Sequence, residues 1–285
     1  MLGRSIFVSG LAGSLAMGVA PPALAQMKTS VSTVNVPIVS TQPAGPTRIY
    51  SVPRAQVLAT GTNLVTASIG IGGLGVGTVP MGYGINGISS NAMNLRADMG
   101  LQPNFELDTG LGVLATTPWL GRLDVSGKWS LLQEGSAIAS VAGLAGGVLE
   151  VDANGQPSLG FQIGLPITKL FAFNNVNLLN LSVVPSWNLG FLTPPAIIGV
   201  PTAGLLNFFG LGLGADFTVL PRMHLLADTN LGFPVTGLST QTAVGIRYDM
   251  TQQWTTDLFF GFKSGAYLGM APSLPALGVA SSWSF

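Results

Sequence analysis

The chain carries a single histidine, His224, and chemistry that needs a general base must begin there. A Ser-His-acid set would require a hydroxyl and a carboxylate within hydrogen-bond reach of its two ring nitrogens. No nucleophile motif surrounds it. The flanking pattern, HLLADTNLGF, alternates polar with apolar residues, so His224 reads as a polar group on the inner face of a strand. Glu106 and Asp108, two residues apart, could act as paired carboxylates for acid and base steps. Arg96 lies one hairpin step away from both, and Arg247 similarly faces Asp257, so ion pairing is the competing reading. GLGLGAD at 210–216 has the glycine spacing of a nucleotide loop, but no helix follows it. There is no cysteine, which excludes disulfides, thiolate metal sites and a cysteine nucleophile. No other metal-ligand cluster or cofactor motif is present, and none is expected.

The elements that must position these groups are framed by the ends of the chain. MLGRSIFVSGLAGSLAMGVAPPALAQ places one cation, Arg4, before an apolar run and an Ala-Leu-Ala site. This pattern predicts a secretory signal peptide, residues 1–25, cleaved after Ala25. Net charge is zero, so no electrostatic attraction to nucleic acid is expected. Charged residues make up only 8% of the chain and mean hydropathy is +0.53. Soluble domains carry about 25% charged residues. The composition therefore points to lipid. The best candidate for a spanning helix, residues 194–215, is interrupted by Pro194, Pro195, Pro201 and several glycines. Lipid admits only helices or closed barrels, because every backbone polar group must be bonded internally, and a barrel remains.

Period-two alternation supports it. Leu95, Leu111, Leu123, Phe209, Leu225, Val244, Leu258 and Val279 fall on apolar faces of successive segments. Clear strands are predicted near 93–101, 105–113, 122–131, 179–188, 208–219, 224–233, 242–249, 254–263 and 277–285, and weaker ones near 63–72, 136–146 and 157–165. The expectation is an all-β transmembrane antiparallel up-and-down barrel of about twelve strands, with ten to fourteen allowed, over residues 62–285. Short connections alternate with long ones, except that 166–177 reads as a longer connection on the short-turn side. Arg96, Asp98, Glu106, Asp108, Arg122, Asp124, Lys128, Asp216, His224, Asp228, Arg247, Asp249, Asp257 and Lys263 all fall on the polar face and are predicted to line a lumen. Their surplus of three acidic groups would favour cations mildly. Trp129, Trp254 and Trp283 near one rim, with Trp119 and Trp187 near the other, predict two aromatic girdles. A secreted β-sandwich also alternates, but its wet faces would carry more Lys and Glu and less Gly, Ala and Ser.

Phe285, preceded at every second position by Trp283, Ser281, Val279 and Leu277, resembles the C-terminal signal of Gram-negative outer-membrane proteins. That resemblance covers about ten residues and implies residence in the bacterial outer membrane. It also implies recognition of the last strand, through Phe285, by barrel-assembly machinery. Residues 26–61 either hang in the periplasm or fold inward as a plug. The outer loops, uncharged and rich in Gly and Pro, are similar in character to those of channels for fatty acids and aromatic hydrocarbons. The expected function is a porin-like channel for passive uptake of small solutes, apolar ones included. The alternative is a non-conducting structural or adhesive barrel. Outer-membrane enzymes work at the outer rim, and His224 is predicted at the opposite end, so no enzymatic activity is expected.

Overall fold

In the computed structural model the described residues are 46–72, 92–114, 120–151, 157–173, 177–192, 204–233, 238–265 and 276–285. All regular structure among them is β. The strands are β1 (Asn63–Gly72), β2 (Ala92–Gln102), β3 (Phe105–Leu114), β4 (Leu120–Leu132), β5 (Ser140–Val151), β6 (Pro157–Gly164), β7 (Ile167–Ala172), β8 (Leu178–Leu192), β9 (Gly204–Leu220), β10 (Met223–Phe233), β11 (Ser239–Asp249), β12 (Trp254–Gly265) and β13 (Ala276–Ser284). Each pairs antiparallel with its neighbours in the wall. β1 pairs with both β2 and β13, which closes the sheet on itself. Asn63 N–H donates to the Phe285 carbonyl at 2.9 Å and Phe285 N–H returns to the Asn63 carbonyl at 2.9 Å, so the last residue completes the seam.

The wall has twelve strand positions, because β6 and β7 are two parts of one strand. Both pair with β5 on one side and β8 on the other, without a change of register between Gly164↔Ser186 and Ile167↔Val183. The break falls at Pro166, which has no N–H to give to the ladder. Its carbonyl still accepts from Ala142 N–H at 2.9 Å. The expected connection over 166–177 is therefore corrected: 167–172 belongs to the wall. The neighbouring strand is shifted too. It runs from Ser140 to Val151 rather than 136–146, because 133–139 forms a turn in which Gly135 adopts φ +108°.

Short connections at 103–104, 133–139, 173–177, 221–222 and 250–253 gather at one mouth, together with Asn63 and Phe285. The connections at the other mouth lie largely outside the described residues, as do residues 1–45 and Trp119.

The two faces segregate as the alternation predicts. Met93, Leu95, Leu111, Leu123, Phe161, Ile163, Leu225, Val244, Leu258 and Leu277 are exposed on the outside. A ring of large apolar side chains left open around a closed wall suits hydrocarbon and not water. Trp129, Trp187, Trp254 and Trp283 also face outward. Trp254 and Trp283 stack at 6.4 Å beside the seam, and Trp129 packs on Phe105 at 4.9 Å near the 103–104 turn. Leu111 is 58% exposed in the middle of β3. Leu111→Arg is expected to destabilise the barrel in lipid vesicles by about 2–4 kcal/mol, read by reversible denaturant unfolding, whereas a water-facing site would lose almost nothing.

Candidate functional site: the filled half of the lumen

Residues 46–61 lie inside the barrel. Thr47, Arg48, Ile49, Ser51, Val52, Ala55, Val57 and Leu58 are all at most 5% exposed. Their backbone makes a tight hairpin: Arg54 N–H donates to the Thr47 carbonyl at 2.8 Å and Ile49 N–H to Val52 at 3.1 Å, leaving Tyr50 and Ser51 at the tip. The segment then joins β1 through Gly61, whose φ of +82° turns the chain at the short-turn mouth. Gly61 N–H bonds the Gly100 carbonyl at 2.8 Å and Gly100 N–H bonds Thr62 at 2.9 Å, which ties the turn to β2.

The wall grips this hairpin with its carboxylates. Asp228, on β10, accepts on one oxygen from the N–H groups of Tyr50 (3.1 Å), Ser51 (2.6 Å) and Val52 (3.1 Å), and from the Ser51 hydroxyl (3.0 Å). Consecutive backbone amides form an anion-binding concavity, here wrapped around a side chain of the same protein. Asn230 Nδ2 holds the Ser51 hydroxyl at 2.6 Å. Glu106, on β3, accepts from the Thr47 hydroxyl and from Leu58 N–H, both at 2.7 Å, and pairs with Lys128 across the β3–β4 ladder at 2.9 Å. Asp108 accepts from Arg48 at 2.6 Å and from Arg96 at 2.9 Å. Asp216 on β9 pairs with Arg54. Arg247 grips Asp257 with two donors at 2.8 and 2.7 Å and reaches the Ile49 carbonyl at 3.2 Å. On the opposite side, Thr168 of β7 accepts from Ala55 N–H at 2.8 Å and is bonded to Ser182 at 2.9 Å.

Shape complements charge. The glycine-rich inner face of β9 lies where the hairpin sits. A Cβ at Gly214 would collide with Ile49 and press on Val52, and one at Gly212 would lie 3.3 Å from Val52. A Cβ at Gly245 would collide with the Tyr50 hydroxyl and with the β12 backbone. Tyr50 packs its ring on Phe259 at 5.2 Å. Burial pushes its phenol up, with the Asp257 charge adding to the effect, so it sits there neutral.

Asp98, Glu106, Asp108, Arg122, Asp124, Lys128, Asp216, Asp228, Arg247 and Asp257 are buried, and Arg96 is nearly so. The side chain of Lys263 lies outside the described residues. Arg96 joins Asp98 and Asp108 and approaches Asp124 at 3.7 Å, while Glu106 belongs to Lys128, so the adjacent carboxylates are separately neutralised. Asp98, Glu106 and Asp108 lie close enough to share an ion, but Arg48, Arg96 and Lys128 already occupy the same space with positive charge. His224 stands half-buried at the short-turn mouth. Its ring bridges Asp216 (2.9 Å) and Asp249 (3.3 Å), with the Thr218 hydroxyl 3.3 Å from Nδ1. The geometry spends both ring nitrogens on carboxylates, and among the described residues it brings no serine to either.

Sequence reasoning did not single out Thr47, Arg48, Tyr50, Ser51, Val52, Arg54, Leu58 or Thr168. One signal was present. Val184, Leu226 and Phe259 interrupt otherwise polar inner faces, and all three are buried inside the barrel, Phe259 against the Tyr50 ring of the hairpin. Apolar residues on a lumen wall need something apolar to cover them. Above the hairpin a cavity of about 120 Å³ remains, lined by Thr66, Ser68, Asn94, Arg96, Arg122 and Asp124 among others.

No family model and no curated protein matches the chain. Among solved structures it is similar to the NanC porin, at 13% identity and a TM-score of 0.51 over 78% of this chain and 98% of that one. It is also similar to the KdgM porin in complex with disordered oligogalacturonate, at 12% identity and 0.50 over 79% and 99%.

Removing one partner of a buried ion pair strands the other charge. Glu106→Ala, which also frees Thr47 and Leu58 N–H, is expected to lower stability by about 3–5 kcal/mol in denaturant titrations; Glu106→Gln strands Lys128 as well but keeps an acceptor for the hairpin, so it should lose somewhat less. The chain thus has the closed transmembrane barrel fold found in outer-membrane porins.

Proposed function

We propose that this protein is an outer-membrane channel for small polar solutes, held shut at its periplasmic mouth by its own residues 46–58. The observation that carries the reading is the hairpin itself: a closed wall with an apolar exterior encloses a polar lumen, and the chain places in it a segment bonded to the wall through named side chains. A barrel that only displays loops needs no such fitted insert. Export by a signal peptide cleaved after Ala25, and insertion led by the strand ending at Phe285, complete the proposal. Outer-membrane lipid and the barrel-assembly machinery are the partners that go with it.

The solute reading follows the lumen. The wall's polar face has an excess of three acidic groups, and Arg48 and Arg54 of the hairpin reduce that excess to one. The closed state is nearly balanced, and the open state is acidic. The inner wall around the hairpin carries Asp98, Glu106, Asp108, Arg122, Asp124, Asp216 and Arg247, buried charges that favour polar solutes over the apolar ones that the outer loops suggest. KdgM is a porin seen with an anionic oligosaccharide; an acidic lumen argues against that class here.

Gly214→Leu keeps the full chain and displaces the hairpin sterically. In planar bilayers the native protein is expected to be silent or to open rarely. The variant should show discrete openings, with a reversal potential in a salt gradient that reads cation preference. A folded variant that stays silent while trypsin cuts freely at Arg48 and Arg54 would favour the structural or adhesive barrel.

A further inference from the structure

Among the described residues, Asp228 differs from Glu106, Asp108, Asp216 and Asp257. Asp108 keeps Arg96 when the hairpin is set aside, Glu106 keeps Lys128, Asp216 keeps His224 and Asp257 keeps Arg247. The four donors that converge on Asp228 Oδ2 all come from the hairpin tip, and its Oδ1 is buried without a hydrogen-bond partner. The residue is only 3% exposed. A carboxylate placed in a lumen without a wall cation costs folding free energy unless a ligand supplies the donors. The inner face beside it is kept open by Gly212 and Gly214, where any Cβ would meet the present occupant.

The occupant shows what chemistry the place accepts. N–H and O–H donors at 2.6–3.1 Å crowd onto one oxygen, so the place accepts a group that offers several donors at once, which a primary ammonium or a guanidinium does with a positive charge as well. Beyond the tip, Arg48 and Arg54 extend two guanidiniums to Asp108 and Asp216. The hairpin thus presents a row of positive and donor groups to a row of acids on β3, β9 and β10.

We infer that Asp228 is the recognition site for a cationic amine or guanidine solute, and that the hairpin occupies it as an internal competitor. This rests on the channel reading above and names its solute class. Solute and hairpin tip exclude one another at a single oxygen. A solute that binds there shifts the hairpin toward its released state by its own differential affinity.

The test uses the full mature chain in lipid vesicles. The protein has no cysteine, so Ile49→Cys introduces one thiol, buried in the native lumen. Its rate of reaction with a polar maleimide reads release of the hairpin. Millimolar spermidine is expected to raise that rate by about tenfold, with sodium chloride at equal ionic strength, glutarate and sorbitol leaving it unchanged. In the Asp228→Asn background the rate should be high from the start and insensitive to spermidine. Should that variant fail to fold, Ser51→Ala, which weakens the competitor and keeps the site, should respond at lower spermidine. Equal acceleration by salt or glutarate, or an unshifted response in Ser51→Ala, overturns the inference. Bilayer currents separate the two readings. A spermidine-sensitive thiol with no current from Gly214→Leu leaves the site standing and removes the channel. Current from Gly214→Leu that spermidine fails to block, with a spermidine-insensitive thiol, does the reverse.

Discussion

The structure depends on one constraint: in hydrocarbon, no backbone N–H or C=O can be left without a partner. The chain meets it by pairing β1 with β13, so that the sheet has no edge, and even Phe285 spends its N–H and carbonyl on Asn63. Closure sorts the side chains. Successive residues point to opposite faces of a strand, so a wall that is apolar outside must place every other residue inside. Charges that lipid would reject collect in the lumen, where water is scarce and each must find a partner. Pro166 shows how tightly the rule binds. It removes one ladder donor, yet the register through β6 and β7 holds on both sides because the neighbouring bonds remain.

The lumen then raises a second problem, and the hairpin answers it. The wall's inner face has more acids than bases, a glycine floor along β9 and isolated apolar residues at Val184, Leu226 and Phe259. Each of these is unfavourable in an empty barrel. With residues 46–58 in place, two guanidiniums and several backbone amides meet the acids, and Ile49 and Val52 fill the space over the glycines. The contacts are individually modest. Their distribution around the wall, from Glu106 on β3 through Thr168 on β7 to Asp228 on β10 and Arg247 on β11, resists displacement in any one direction. Gly61 tethers the hairpin within a few residues of β1, so its exit lies toward the short-turn mouth.

This arrangement changes what the charged residues mean. In the proposed channel, Glu106, Asp108, Asp216 and Asp228 would set the selectivity of the lumen. In the structure they are the groups that hold the hairpin. The two roles are compatible because a buried carboxylate is indifferent to whether its donor arrives on a peptide or on a solute. His224 fits the same scheme. Bridged between Asp216 and Asp249, it braces the carboxylate that holds Arg54.

The amino-acid sequence by itself determined the barrel. Alternation with period two is a local property, set by the pleat of each strand, so the apolar faces and the number of wall strands were legible residue by residue. It failed over 166–177, read as a connection: the flanking ladders carry the wall past Pro166 and on to Ala172. Only the tertiary structure decided where residues 46–61 lie. Nothing local distinguishes a Thr, Ser and Pro-rich tail in water from one folded into a lumen. The partners of Arg48 and Arg54 lie 60 and 162 residues away, and of the Ser51 amide 177. Those distances close only after the wall has curved round and brought β3, β9 and β10 to face one another.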